Sequence, residues 1–284
     1  MQAQDFEQIR LPGEGVMLAA DTIGPEAAPL VLFFHGGGQS RRSWRATARH
    51  VAEAGYRAMT IDLRGHGDSD WAPDGDYFVE AYARDIEAIL DFLDRKAVLV
   101  GASRGGQAAL IAASRRADRV ALVMLADVGP LIDNSGVDRI RLFFEASRHG
   151  FASVEDAAAA LSAHLGQRSE RSPGALARAM RRDDSGRYHW RWDPRTASRA
   201  FLNPPEEGEA LAQAAAVVNV PVVMVHAEHS DLISPASVAR FRELTPQLVV
   251  VEALGVGHMF TGDRNDPFAA DLLTYLARHA PLAS

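Results

Sequence analysis

The sequence contains no cysteine. Disulfides, thiolate metal sites and a cysteine nucleophile are therefore excluded, while the redox state of the compartment is left open. Lysine is almost missing too: Lys96 stands alone, and the 30 basic residues face 37 carboxylates for a formal net charge of −7. An acidic chain of this kind lacks the clustered basic surface that a nucleic-acid partner requires. There is no apolar run long enough to span a bilayer, and the opening MQAQDFEQIRLPGEG has no basic segment followed by an apolar core. Neither a membrane segment nor a secretory leader is expected, and the protein is read as cytoplasmic. Repeats and low-complexity tracts are also missing.

Apolar residues make up 47% of the 284, enough for a full core, and one α/β domain carrying an insertion fits the length. Residues 6–11 and 16–22 flank the turn Pro12-Gly13-Glu14-Gly15 and read as an antiparallel hairpin. Leu30–Phe34 is a continuous apolar run of buried-strand type, and it ends in His35-Gly36-Gly37-Gly38, where bare backbone amides invite the close approach of a ligand. A helical stretch over 44–54, the strand Arg57–Ile61, the turn-rich Asp62-Leu63-Arg64-Gly65-His66-Gly67-Asp68-Ser69 and a helix over 77–93 follow. Val120–Leu125 is a further buried strand, leading into Asp127-Val128-Gly129-Pro130. The alternation then stops until Val222. Between lie three helical candidates, near 137–148, 153–165 and 173–182, and an extended segment in which Tyr188, Trp190 and Trp192 alternate, core packing being their default role. A helix over 206–218, strands 222–226 and 248–251, and helices 236–244 and 267–279 complete the chain. Strands joined by helices predict a mostly parallel, doubly wound α/β sheet, with 1–130 and 206–284 as the core domain and 131–205 as an inserted helical cap. Ligands collect at the carboxyl ends of such strands.

The most informative stretch is Ala97–Arg115, AVLVGASRGGQAALIAASR: an apolar strand, the turn Gly101-Ala102-Ser103-Arg104-Gly105-Gly106, then an alanine-rich helix. A residue at so tight an apex is strained, and its neighbours must carry almost no side chain. The hydroxyl of Ser103 would project from the end of a central strand, close to the positive end of the helix that follows. A simple helix cap is the plainer interpretation of such a serine. As a nucleophile, Ser103 needs a base, and the base needs an anionic partner. His258 is the best placed of ten histidines, in the loop Leu254-Gly255-Val256-Gly257-His258 between the last strand and the last helix. His35 is expected to shape the glycine loop, and His66 to be structural. Two carboxylates stand at the correct edge of the sheet: Asp231, after the strand Val222–His226, and Asp127, after Val120–Leu125. Asp127 has a second role open to it, organising the turn into the cap. His226 and His229 flank a strand end instead of sharing a helix face, so no metal site is expected.

His35-Gly36, Trp44, the Asp62–Ser69 stretch, the serine turn and Gly257-His258, in this order, resemble the α/β-hydrolase superfamily in its capped branch, over roughly residues 5–279. The resemblance implies Ser103 as nucleophile, His258 as base, Asp231 most often as acid, and the amides of Gly37 and Arg104 as oxyanion donors. Relatives that open epoxides or remove halides carry aspartate where this chain has Ser103, which argues against both activities. The implied reaction is acyl transfer on a carboxylic ester or lactone of a small molecule, with no cofactor. Thioester or carbon–carbon bond hydrolysis and cofactor-free perhydrolysis would use the same groups, and a non-catalytic receptor for a small molecule would keep the same fold. Gly36, Gly38, Trp190 and Trp192 are candidates for substrate contact. Residues 131–205 hold twelve arginines against nine carboxylates, and with Arg41, Arg42 and Arg104 they suggest a positive entrance that would draw in a carboxylate-bearing substrate. A solvated arginine face is the plainer interpretation.

Overall fold

The structure, a computed structural model, describes residues 5–132, 142–165, 173–196, 205–257 and 266–282. Eight strands form one sheet in the order β1-β2-β4-β3-β5-β6-β9-β10. The hairpin β1 (Glu7–Pro12) and β2 (Met17–Ile23) closes one edge, and β2 runs antiparallel to β4 (Arg57–Ile61). From β4 the sheet is parallel through β3 (Leu30–Phe34), β5 (Ala97–Ala102), β6 (Val120–Ala126), β9 (Val222–His229) and β10 (Leu248–Gly257). Every residue of β3 and β5 is buried, as expected of central strands covered on both faces. Alternate residues of these strands supply two separate cores. Leu30, Leu32 and Phe34 pack with helices α2 (Val79–Leu93), α3 (Ser103–Arg115), α6 (Pro205–Val217) and α7 (Pro235–Leu244). Val31 and Phe33 pack with α1 (Arg45–Glu53) and α8 (Asp266–His279). The central helix α3 is buried from Arg104 through Ala113, and its alanines let neighbouring elements come close on either side.

The inserted cap comprises a helical stretch at 142–147, α4 (Val154–Leu165), α5 (Pro173–Arg178) and the hairpin β7 (Met180–Arg182) to β8 (Tyr188–Trp190). It has its own small core of Phe143, Phe144, Phe151, Leu176, Met180, Trp190 and Trp192. The helix expected over 173–182 stops at Arg178. Met180–Arg182 pairs with Tyr188–Trp190 across a turn in which Gly186 has φ +87° and the Asp183 carboxylate accepts from Ser185 and Arg187. Turn chemistry at 183–186 thus overrides the local helical preference of Ala-Met-Arg-Arg. The aromatic alternation beyond it follows the extended backbone, and the chain continues as a bridge from Trp192 to His66 of the core.

Candidate active site

Strand β5 ends extended at Ala102, and Ser103 turns to φ +46° as the first residue of α3. A non-glycine residue in the left-handed region is strained, and such strain persists only where the surroundings enforce it. Close packing enforces it here. A Cβ on Gly105 would lie 2.5 Å from the His35 carbonyl oxygen, one on Gly106 would lie 2.5 Å from Val128 Cγ1, and one on Gly101 would strike the backbone of Gly106. The turn therefore presses directly on the end of β3. A Cβ on Gly36 would lie 3.2 Å from Ser103 Cβ, so the glycine loop stands against the serine, as the sequence suggested.

That loop is held by two buried histidines. His35 Nδ1 donates to the Gly36 carbonyl at 2.7 Å, while its Nε2 accepts from Leu63 N–H at 3.0 Å. His66 Nδ1 donates to the Arg64 carbonyl at 3.0 Å, and its Nε2 accepts from Gly38 N–H at 3.2 Å. Each ring has one donor and one acceptor committed, which is the neutral form. Burial agrees with this: desolvation lowers His35 to a pKa of about 4 and His66 to about 3. Because a peptide is planar and trans, holding the Gly36 carbonyl also fixes the opposite direction of the Gly37 N–H. Gly37 is exposed. The Gln39 side chain accepts from Gly36 N–H at 3.2 Å, which closes the loop on itself.

Asp127 and Ser103 stand side by side, since β5 and β6 pair Ala102 with Ala126. Asp127 is fully buried, at φ +47°. Its Oδ1 accepts from Ala227 N–H at 2.9 Å and its Oδ2 from the Ser230 hydroxyl at 2.6 Å. Ser230 Oγ accepts in turn from the N–H groups of Leu232 and Ile233, at 3.2 and 3.0 Å. The loop carrying half-buried Asp231 is thereby tied to the end of β6. His226, just upstream, lies between Glu252 Oε2 at 2.9 Å and the Ile233 carbonyl at 3.1 Å. Burial alone would lower its pKa, but the Ile233 carbonyl and the Glu252 carboxylate outweigh it and raise it. His258 lies outside the described residues.

Arg104 and Arg41 do not offer free positive charge. Arg104 is buried, with Nη1 2.7 Å from Glu207 Oε2, while Glu207 Oε1 accepts from Val79 N–H at the start of α2. Arg41 is buried among Asp21, Asp62 and Asp68. Guanidinium groups taken out of water need such partners, so the positive entrance expected from these two is corrected; Arg42 alone of the three is exposed. Trp190 sits in the cap core, its indole N–H donating to Ser147 Oγ at 3.1 Å, and stacks on Trp192 at 5.6 Å. Trp192 reaches the core: with Phe144 it covers the position a Gly38 side chain would take. Among the described residues no group of three or more histidine or carboxylate side chains is arranged to hold a metal ion, and no helix is long and apolar enough to cross a membrane.

Three contributors escaped the sequence. Glu207 is one acidic residue among several at a helix start, with nothing to mark its partners 103 and 128 residues away. Ser230 precedes Asp231 in a loop where any polar residue is unremarked. Asp193, which receives the Tyr77 hydroxyl at 2.6 Å, links the cap to the core. Its signal was its place directly after the aromatic alternation.

The family described as alpha/beta hydrolase fold matches residues 29–264. A 2-(acetamidomethylene)succinate hydrolase of Mesorhizobium japonicum is 30% identical over 245 residues, 82% of either chain. An esterase of Mycobacterium tuberculosis is 28% identical over 220 residues, 75% of this chain and 70% of its own. Among solved structures, that of an E-2-(acetamidomethylene)succinate hydrolase superposes with a TM-score of 0.79 at 24% identity, covering 96% of this chain and 98% of the other.

Proposed function

The chain belongs to the α/β hydrolase family, and from that premise we propose that it hydrolyses a carboxylic ester or lactone of a small molecule by acyl transfer through Ser103. The carrying observation is the strained Ser103, φ +46°, at the end of a buried central strand and against the Gly36–Gly38 loop. In this reading Ser103 Oγ attacks the carbonyl carbon while its proton passes to His258. The oxyanion that forms is received by the N–H groups of Gly37 and Arg104, the second of them at the positive end of α3. Collapse breaks the bond to the leaving oxygen, which takes the proton from His258. Water, deprotonated by the same histidine, then releases the acid and frees Ser103. The core comprises 1–130 and 206–284 and the cap 131–205; Phe144 and Trp192, lying over Gly38, form an apolar wall for the substrate.

Asp231 orients His258 in this mechanism, from a loop that the Asp127–Ser230 pair holds in place. Asp127 as the acid is the second reading. Its strained backbone, its burial and its register beside Ser103 favour it. The test of the function is a panel of nitrophenyl esters and lactones. Turnover that falls on the order of 10⁴-fold or more in Ser103→Ala supports it. Turnover that survives the substitution contradicts it, and ligand-induced stabilisation with no turnover would favour a receptor.

A further inference from the structure

Residues 64–67 meet the cap and the glycine loop at once. Gly67 N–H donates to the Arg191 carbonyl at 2.7 Å and Asp193 N–H donates to the Gly65 carbonyl at 2.7 Å, which makes His66 and Trp192 an antiparallel pair. The main chain of His66 is therefore clamped by the returning strand of the cap. Its side chain faces the other way, to the Gly38 amide at 3.2 Å, and the ring is fixed from behind by the Arg64 carbonyl. Gly38 itself, at φ +73°, carries the cap's Phe144 and Trp192 against its open face. The two main-chain bonds to the cap are made by the neighbours of His66, Gly65 and Gly67, while the His66 side chain bonds to the glycine loop and the residue's own N–H and carbonyl stay within the turn, with Leu63 and Ser69.

We infer that His66 is a positioning residue through which the docked cap helps to set the Gly36–Gly38 loop, so that the aim of the oxyanion donor Gly37, held from one side by His35, depends from the other side on the pairing of the cap's 191–193 segment. The inference rests on the acyl-transfer reading of Ser103. The physical reason is short leverage. The His66 ring is rigid, its Nε2 is the acceptor of Gly38 N–H, and Gly37 is the adjoining residue. A displacement of 191–193 shifts His66 and turns the Gly37–Gly38 peptide, which pivots on the same Gly37 Cα as the Gly36–Gly37 peptide that carries the donor N–H; donor misplacement of about 1 Å costs on the order of 10²-fold in rate. Docking is reinforced by side chains that touch neither Ser103 nor the glycine loop: Asp193 accepts from the Tyr77 hydroxyl at 2.6 Å and from Arg195 Nε at 2.9 Å, and Arg195 Nη2 donates to the Ala72 carbonyl at 2.9 Å.

The experiment compares His66→Phe, His66→Gln, Asp193→Ala and the double variant His66→Phe/Asp193→Ala. The substrate is 4-nitrophenyl acetate, whose acyl group is too small to need the cap for binding. His66→Phe keeps a ring and loses the acceptor, and is expected to lower kcat roughly 10- to 100-fold with KM changed less than about threefold. Glutamine places an oxygen near the position of Nε2 and is expected to recover most of the loss. Asp193→Ala is expected to lower kcat by about 3- to 10-fold on this small ester, and the double variant to be no worse than His66→Phe alone. Losses that multiply in the double variant, or an Asp193→Ala effect confined to KM, overturn the coupling. Amide hydrogen exchange over residues 35–39 gives the same answer without a substrate: faster exchange in Asp193→Ala, with the double variant no faster than His66→Phe alone, is expected, and unchanged exchange in Asp193→Ala contradicts it. If wild-type turnover proves independent of Ser103 while the exchange coupling holds, the acyl-transfer reading has failed and the cap-to-loop coupling has not.

Discussion

The two halves of the strand-end rim surround histidine with different partners, and burial lowers the pKa on one side while acceptors raise it on the other. At the ends of β3 and β4, His35 and His66 are buried and neutral, each with one donor and one acceptor committed to backbone. At the end of β9, His226 lies between two acceptors, the Glu252 carboxylate and the Ile233 carbonyl, and only the doubly protonated ring satisfies both. The difference teaches what each half is for. In the proposed mechanism the first half presents backbone amides in a fixed direction, and its two histidines are buried groups that do not titrate near neutrality. The second carries the two candidate acids, buried Asp127 and half-buried Asp231, and is tied together by the Asp127–Ser230 and His226–Glu252 side-chain pairs.

The largest expected effect separates the two carboxylates. Asp231→Asn should lower kcat/KM by about 10³- to 10⁴-fold, as removal of a triad acid does. Ser230→Ala should lower it at least about tenfold if Asp127 acts by anchoring the Asp231 loop, because the link from Asp127 to Leu232 and Ile233 is then cut. Activity profiles of Asp231→Asn, Asp127→Asn and Ser230→Ala, at matched stability, are the measurement. An Asp127→Asn loss far exceeding that of Asp231→Asn, with Ser230→Ala near wild type, would make Asp127 the acid.

Next in size is His35→Phe. The Gly36 carbonyl loses the ring donor and the Leu63 amide is left buried without its acceptor, a cost of about 1–3 kcal/mol. The Gly37 amide also loses its fixed direction, so kcat should fall about 10- to 100-fold. Urea denaturation and ester kinetics on one preparation read both. A stability loss with unchanged kcat would confine His35 to scaffolding.

The smallest effects are in pH, and their signs oppose. His35 and His66 have pKa values lowered by burial to about 4 and about 3. The unfolded chain binds protons that the folded state refuses, and the stability they contribute, present above about pH 6.5, is lost as pH falls through those values. His226 is raised above 6.5. Its contribution is complete below that pH and fades as pH rises through the folded value. Melting curves of His226→Gln against wild type should differ by about 2–4 °C at pH 6 and converge above pH 8. A difference that grows with pH would show that the ring is neutral in the folded protein.

Much of the first half was legible because its determinants are local. The all-apolar run Leu30–Phe34 is strand β3 with the same bounds, and the glycines around Ser103 announce the tight turn that the packing at Gly105 and Gly106 requires. The cap was less legible. Ala-Met-Arg-Arg reads as helix until Asp183–Gly186 is recognised as a hairpin turn, and the pairing with Tyr188–Trp190 is invisible in residues 180–182 themselves. Long-range ion pairs were least legible. Arg104 reads as an exposed cation beside a serine, and only the return of α6 brings Glu207 to it. The proposed base, His258, was named from its loop alone and lies outside the described residues.

The most direct test of the account is to trap the acyl-enzyme. Rapid quenching of the protein with excess 4-nitrophenyl ester, followed by proteolysis and mass spectrometry, should place one acyl group on Ser103, with a burst of nitrophenol that vanishes in Ser103→Ala. An acyl group found on a different residue, or steady hydrolysis with no trapped adduct and no dependence on Ser103, would contradict it.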